Sequence, residues 1–136
     1  MKKIDNYLRA FQHLTKAAAA WAAQPEDDLY RDGLIQRFEF TVELAWKSLK
    51  EFLEDQGAVV AHATPKAVLR DAYAAGYLED PAPWLAILDA RNLTSHVYSE
   101  ETAHTVAQNI CTKFLPVFRS LADFYRDQQG CPDTIN

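Results

Sequence analysis

Residues 34–52, LIQRFEFTVELAWKSLKEF, determine the fold class of this 136-residue chain. Apolar side chains recur there at steps of three and four residues, which is the period of one buried helix face. Phe40, Leu44 and Trp46 widen the apolar surface beyond that face, so we expect this helix to contact more than one partner. The pattern predicts a helix over residues 29–56, capped at its C-terminal end by Gly57. Its main stripe consists of Leu34, Phe38, Val42, Ala45, Leu49, Phe52 and Leu53.

Helical signals continue on both sides of this stretch. An apolar stripe over residues 4–21 predicts a first helix, which ends before Pro25. Thr64-Pro65 and Asp80-Pro81 each pair a capping side chain with a proline suited to a first turn, so they predict two shorter helices. Ser99, followed by two glutamates, predicts the start of the last helix.

Three long helices and two short ones, without an alternating strand pattern, indicate an all-α protein. We expect an up-and-down bundle of four or five helices in one domain, residues 1–128. Residues 129–136 are polar and are expected to fray. Pro116 lies inside the stripe of the last helix and predicts a kink there.

The composition excludes several classes of protein. With 49% hydrophobic residues the chain is not disordered, and a net charge of −5 disfavours an architectural DNA-binding role. The two cysteines provide no disulfide framework, and the charged N-terminus does not resemble a signal peptide, so we expect a cytoplasmic protein. No apolar stretch reaches 18 residues, so we expect no membrane span. The three tryptophans are predicted to be core residues.

Common cofactor motifs are absent from the sequence. The four glycines lie far apart and form no phosphate-binding loop, and there is no HExxH motif. The four histidines are scattered, which predicts no metal site. We therefore expect a protein without a metal or other cofactor.

The densest polar cluster occupies residues 89–98, DARNLTSHVY, where one helix ends and the next begins. One interpretation is a polar helix end, in which Arg91 and Asn92 cap carbonyl groups. The other is phosphodiester cleavage, in which His96 takes the proton of an RNA 2′-hydroxyl and Arg91 stabilises charge on the phosphorane oxygens. In that interpretation Asn92 or Ser95 orients the imidazole or a phosphate oxygen.

The spacing of Arg91 and His96 restricts the second interpretation. Five residues correspond to about 140° around an ideal helix, so the two side chains do not converge from one straight helix. Either the helix breaks near Thr94-Ser95, or two copies of the segment meet at the axis of a symmetric dimer and form one composite site.

The run from Arg91 to Tyr98 resembles the R-x4-H-x-Y motif of HEPN domains. Residues 35–47 resemble the second helix of the nucleotidyltransferase substrate-binding protein branch of that family, and the similarity extends over about residues 2–126. The resemblance implies a helical bundle that forms a symmetric homodimer or a higher oligomer. It also implies a partner, a cognate minimal nucleotidyltransferase.

In many such pairs the HEPN member is a metal-independent endoribonuclease toxin with RNA as its substrate. The resemblance then implies that Arg91 and His96 are catalytic, that Asn92 supports the site, and that Tyr98 is the residue the partner modifies with adenylyl groups. Glu43 and Lys47 match a charged pair of the second helix and contribute either to the site or to the fold. The chain lacks the Gly-Ser and paired aspartates of a nucleotidyltransferase, so it does not transfer nucleotides itself.

Three hypotheses remain open on the sequence. The first is an RNA-cleaving toxin controlled by its nucleotidyltransferase. The second is a non-catalytic subunit that holds a substrate or nucleotide for a separate nucleotidyltransferase, which the acidic charge favours because it attracts RNA weakly. The third is a helical dimerisation module without its own chemistry.

Overall fold

The computed structural model describes the backbone of residues 1–95 and 99–134 and the side chains of residues 1–95 and 99–129. These residues are helical with short connections and form no strand, so the predicted all-α fold is confirmed. None of the described helices is long and apolar enough to span a membrane. The elements are α1 (Lys2–Ala23), α2 (Asp28–Asp55), α3 (Pro65–Ala74), α4 (Ala82–Thr94), α5 (Glu100–Asn109), a π-helical segment (Ile110–Phe114) and α6 (Leu115–Thr134).

The helices begin where the sequence places capping side chains. The Asp27 carboxylate accepts hydrogen bonds from the first turn of α2, at 2.8 and 3.2 Å. Thr64 and Ser99 cap α3 and α5 in the same way, and the Asp80 carboxylate accepts from the backbone N–H of Ala82 at 2.9 Å. Each cap satisfies a donor that would otherwise have no partner, which stabilises a helix by about 1 kcal/mol.

Two glycines end α2 and α3. Gly57 has a φ of 92° and Gly76 a φ of 87°, the left-handed region that favours glycine. The N–H of the following residue then reaches back to a carbonyl of the last turn, from Ala58 to Leu53 at 3.0 Å and from Tyr77 to Ala72 at 2.9 Å. These are Schellman motifs, and the predicted cap at Gly57 is confirmed.

The core lies between α1, α2 and the long helix formed by α5, the π-helical segment and α6. The backbone N–H of Lys3 donates to Glu51 at 3.2 Å, so α1 runs antiparallel to α2. Buried tyrosine hydroxyls tie the core together: Tyr7 donates to the carbonyl of Phe118 at 2.7 Å, and Tyr125 lies 2.7 Å from the hydroxyl of Ser48. Their rings pack edge to face at 5.7 Å.

The last helix changes its winding directly before Pro116. The N–H of Leu115 donates to the carbonyl of Ile110, the i to i+5 bond of a π-helix. A proline at position 116 offers no N–H and its ring crowds the carbonyl of Thr112. The irregularity predicted at the proline is therefore a widened turn over residues 110–114. The backbone of α6 remains helical beyond residue 128, as far as Thr134.

The three tryptophans differ in burial. Trp21 and Trp84 are buried as predicted, whereas the prediction of a core position for Trp46 is wrong, because this side chain is half-buried. Its indole N–H donates to the Glu43 carboxylate at 3.0 Å. The polar end of Trp46 therefore lies at the surface of α2.

Candidate functional site

The C-terminal end of α4 presents Arg91 to α2. Buried apolar residues fix the rotation of α4 about its axis, and Ile87, four residues before Arg91, lies on the same face. The side chain of Arg91 is consequently 31% exposed, with its guanidinium close to α2. The buried residues are Trp84, Ile87, Leu88 and Ala90.

Glu39 of α2 is the acidic partner at this helix end. Its Oε2 accepts from Arg91 Nη1 at 3.4 Å and from the Thr94 hydroxyl at 2.6 Å. The Glu39 side chain is 27% exposed, so the contacts form at the edge of the core. Glu39 is not among the residues predicted from the sequence. The sequence did contain a signal for Glu39, because it lies four residues after Ile35 and three before Val42. Both of these residues are buried, so the Glu39 carboxylate lies on the side of α2 that packs against other helices.

The hydroxyl of Ser95, at the end of α4, also holds the Arg91 side chain. Arg91 Nη1 donates to the Ser95 hydroxyl, and that hydroxyl lies 3.3 Å from the carbonyl of Arg91. The Thr94 hydroxyl also lies 2.7 Å from this carbonyl, but its single proton favours the charged Glu39 carboxylate. Arg91 is therefore fixed by α2 and by the end of its own helix.

The predicted residues of the polar cluster divide into two groups. Helix α4 ends at Thr94 with Ser95 as its C-cap, which agrees with the first of the two arrangements that the spacing of Arg91 and His96 left open. Asn92 is exposed, and within the described part of the chain its side chain makes no hydrogen bond. His96 and Tyr98 lie outside the described residues.

The pair on the second helix forms a separate contact. Lys47 Nζ lies 3.8 Å from Glu43 Oε1 and 5.8 Å from the centre of the Trp46 ring. Both charged side chains are nearly half exposed. Such a pair contributes about 0.3–0.5 kcal/mol to helix stability. Among the described contacts, Glu43 and Lys47 pair with each other and with Trp46 rather than with Arg91.

A second ionic contact that sequence reasoning missed anchors the start of α5. Arg31 of α2 is buried and donates to Glu100 at 2.5 Å, and it also pairs with Asp28 and Asp32 at 3.2 and 3.0 Å. The hydrogen bond with Glu100 raises the pKa of Arg31 above its usual value, so the guanidinium stays charged. In the sequence, Glu100 and Glu101 indicated only the start of a helix.

Both borders of residues 96–98 are thus attached to α2. Glu39 binds Arg91 and Thr94 on one side, and Arg31 binds Glu100 on the other. Because α2 is the long central helix of the core, these contacts fix the relative position of the α4 end and the α5 start. Within the described side chains, those of residues 1–95 and 99–129, no group of three or more histidine, cysteine or acidic residues is placed to bind a metal ion.

Comparisons with known proteins agree with this architecture. The family model described as "Nucleotidyltransferase substrate binding protein like" matches residues 2–127. A curated relative from Haemophilus influenzae, "Probable ribonuclease HepT", is 39% identical over 82 residues, which cover 57% of this chain and 56% of the relative. The match therefore spans little more than half the length of that relative.

Proposed function

The chain belongs to the nucleotidyltransferase substrate binding protein-like family, a branch of the HEPN domains, and on that premise we propose that it is a metal-independent endoribonuclease toxin. The observation that carries the proposal is the fixed Arg91 guanidinium, held by Glu39 and Ser95 at the residue that opens the R-x4-H-x-Y motif. The printed name of the relative, a probable ribonuclease, supports the same activity.

The proposed reaction is attack of an RNA 2′-oxygen on the adjacent phosphorus. The O2′–P bond forms, the P–O5′ bond breaks, and His96 accepts the proton of the 2′-hydroxyl. Arg91 stabilises the charge on the phosphorane oxygens, because its planar donors match two of them. In a symmetric dimer the His96 of the second copy, when protonated, supplies the proton that O5′ needs to leave.

The remaining site residues have supporting roles in the proposal. Ser95 and Asn92 orient a phosphate oxygen or the imidazole, and Glu39 is a positioning residue that acts through Arg91. The cognate minimal nucleotidyltransferase neutralises the toxin by transferring an adenylyl group from ATP to the phenol oxygen of Tyr98. The O–P bond to tyrosine forms, the bond between the α- and β-phosphates breaks, pyrophosphate leaves and the phenol proton passes to solvent. Cellular RNA as substrate makes the cytoplasm the place of action.

Cleavage of cellular RNA in EDTA by the purified chain tests the proposal. We expect the wild type to cleave, and the Arg91→Ala and His96→Ala variants to lose activity while keeping the helical content and oligomeric state. Arg70→Gln, an exposed cation on α3, is the matched control and should cleave as the wild type does. Equal cleavage by wild type and both site variants would refute the assignment.

The second candidate function is a non-catalytic subunit that binds a nucleotide for the partner nucleotidyltransferase. The net charge of −5 favours it, because an acidic protein attracts RNA weakly at long range. This candidate predicts that folded chain with an unmodified Tyr98 binds the nucleotidyltransferase without cleaving any RNA. Mass spectrometry establishes whether Tyr98 is unmodified.

A further inference from the structure

A groove between α1 and α2 has a cationic and aromatic lining. It encloses about 270 Å³ and is bordered by Asn6, Arg9 and His13 of α1 and by Arg37 and Phe40 of α2. Within each helix these residues are three or four positions apart, so each helix contributes one face to the groove. This volume is just below the range of about 300–1,000 Å³ for small-ligand sites, so the groove has room for only part of a ligand.

The lining of the groove contains two arginines and no carboxylate, although the protein is acidic. Helix α1 contains four basic side chains and one acidic one, whereas α2 contains four basic and seven acidic ones, so the positive charge of the lining comes from Arg9 and Arg37 themselves. Among the described residues, Arg9 and Arg37 form no ion pair with a carboxylate, unlike Arg31 and Arg91. Arg9 is oriented by Asn6, whose side-chain oxygen accepts from Arg9 Nη2 at 3.0 Å. Two guanidinium groups therefore face this surface with their charge uncompensated by a carboxylate, which suits an anionic ligand.

Phe40 adds a flat apolar surface to this cationic site. The side chain is 50% exposed, although burying a phenylalanine side chain stabilises a protein. Its neighbour Glu39 is the residue that holds Arg91, and successive residues on a helix point about 100° apart. On α2, Phe40 therefore points about 100° and Arg37 about 160° away from Glu39, so the groove lies on a different side of this helix from the candidate active site.

We propose that this groove binds one nucleotide of a single-stranded RNA. The phosphate lies between Arg9 and Arg37, because guanidinium groups match phosphate oxygens in pairs. The base stacks on Phe40, an arrangement that requires an unpaired base with an open face. The inference rests on the proposed function, because it gives the RNA substrate a second point of attachment, on another side of α2 from the cleavage site.

Binding of a non-cleavable RNA measures this site apart from catalysis. The probe is a fluorescein-labelled hexamer of 2′-O-methyl-RNA, which lacks the attacking hydroxyl, and the readout is fluorescence anisotropy. We expect Arg9→Gln, Arg37→Gln and Phe40→Leu each to weaken binding about fivefold or more. The two arginine variants also lose a phosphate contact. A plot of log binding constant against log salt concentration should therefore be less steep for them, by about 0.7.

Matched controls come from α3, which lies outside the groove. Arg70→Gln removes an exposed guanidinium, and Tyr73→Leu removes an aromatic ring that is 48% exposed. Both should bind the hexamer within twofold of wild type. The substituted side chains of the groove are themselves exposed or half-exposed, so thermal unfolding should show all variants folded.

Three results would overturn the inference. Groove variants that bind like wild type would show that RNA attaches elsewhere. Competition by free adenosine monophosphate at the same concentrations as the hexamer would assign the groove to a free nucleotide. A smaller oligomeric state of Phe40→Leu than of the wild type, measured by sedimentation, would show that the groove is an interface between copies of the chain.

The same variants separate this inference from the proposed function. A chain that fails to cleave RNA but binds the hexamer through Arg9, Arg37 and Phe40 supports the groove and refutes the nuclease. Cleavage that depends on His96, together with hexamer binding that is insensitive to the groove variants, supports the nuclease and refutes the groove.

Discussion

Replacement of Glu39 by glutamine tests how Arg91 is held. Glu39→Gln keeps the size of the side chain and one acceptor oxygen, but it removes the negative charge. The Thr94 hydroxyl at 2.6 Å and Arg91 Nη1 at 3.4 Å then face a neutral amide. The substitution therefore isolates the electrostatic part of the anchor.

The expected loss of stability follows from these two contacts. A hydrogen bond to a charged group contributes about 1 kcal/mol more than a neutral one. The Arg91–Glu39 pair, with both side chains about 30% exposed, adds about 0.2–1 kcal/mol. A total near 1.5 kcal/mol corresponds to a decrease in Tm of about 5 °C for 136 residues.

The assay combines thermal unfolding with RNA cleavage. We expect Glu39→Gln to reduce kcat about tenfold or more, because the guanidinium loses its fixed position, with a smaller change in KM. Glu54→Gln is the matched control, since it breaks an exposed α2 pair with Lys50 at 3.1 Å and should cost less than about 0.5 kcal/mol. Wild-type kcat in a destabilised Glu39→Gln variant would refute the positioning role.

Further predictions concern the fold. Burial raises the pKa of the Tyr7 and Tyr125 hydroxyls above the usual 10.0. Above about pH 10 the unfolded chain therefore loses these protons while the folded state keeps them, which favours unfolding. In a series of thermal melts at increasing pH, Tm should fall above about pH 10. A Tyr125→Phe variant should show a smaller fall, and an equal fall would contradict this cause. Gly57→Ala should destabilise the protein by about 1 kcal/mol in urea unfolding, because the φ of 92° is unfavourable for alanine. Gly33→Ala should stabilise it by about 0.5–1 kcal/mol in the same assay, because Gly33 lies inside α2 with open space for a Cβ. Arg31→Gln should cost about 2 kcal/mol in the same assay, because it removes the buried cation that joins α2 to α5, and a cost below 0.5 kcal/mol would contradict that role.

Local signals in the sequence predicted much of the architecture. Capping residues such as Thr64 and Ser99 act on N–H groups two or three positions away, and the stripe of α2 reflects the period of a single helix. The helix break after Thr94 was likewise predictable, because the polar cluster and the cap at Ser99 are adjacent in sequence. These features depend on neighbours within one turn, which a sequence displays directly.

The contacts between helices were not predictable from spacing. Glu39 and Arg91 are 52 positions apart, and Arg31 and Glu100 are 69 apart. The groove combines Arg9 of α1 with Arg37 and Phe40 of α2, and the spacing within either helix does not show that these two faces meet. The catalytic assignments of Arg91 and His96 remain predictions that rest on the motif and on the fixed guanidinium.

The chemical ends of the RNA fragments test the central claim most directly. A wild-type digest in EDTA, analysed by mass spectrometry, should contain 2′,3′-cyclic phosphate and 5′-hydroxyl ends, because the 2′-oxygen is the nucleophile. These ends should disappear in the His96→Ala digest. Fragments with 3′-hydroxyl and 5′-phosphate ends, or cleavage that EDTA abolishes, would contradict a metal-independent reaction at Arg91 and His96.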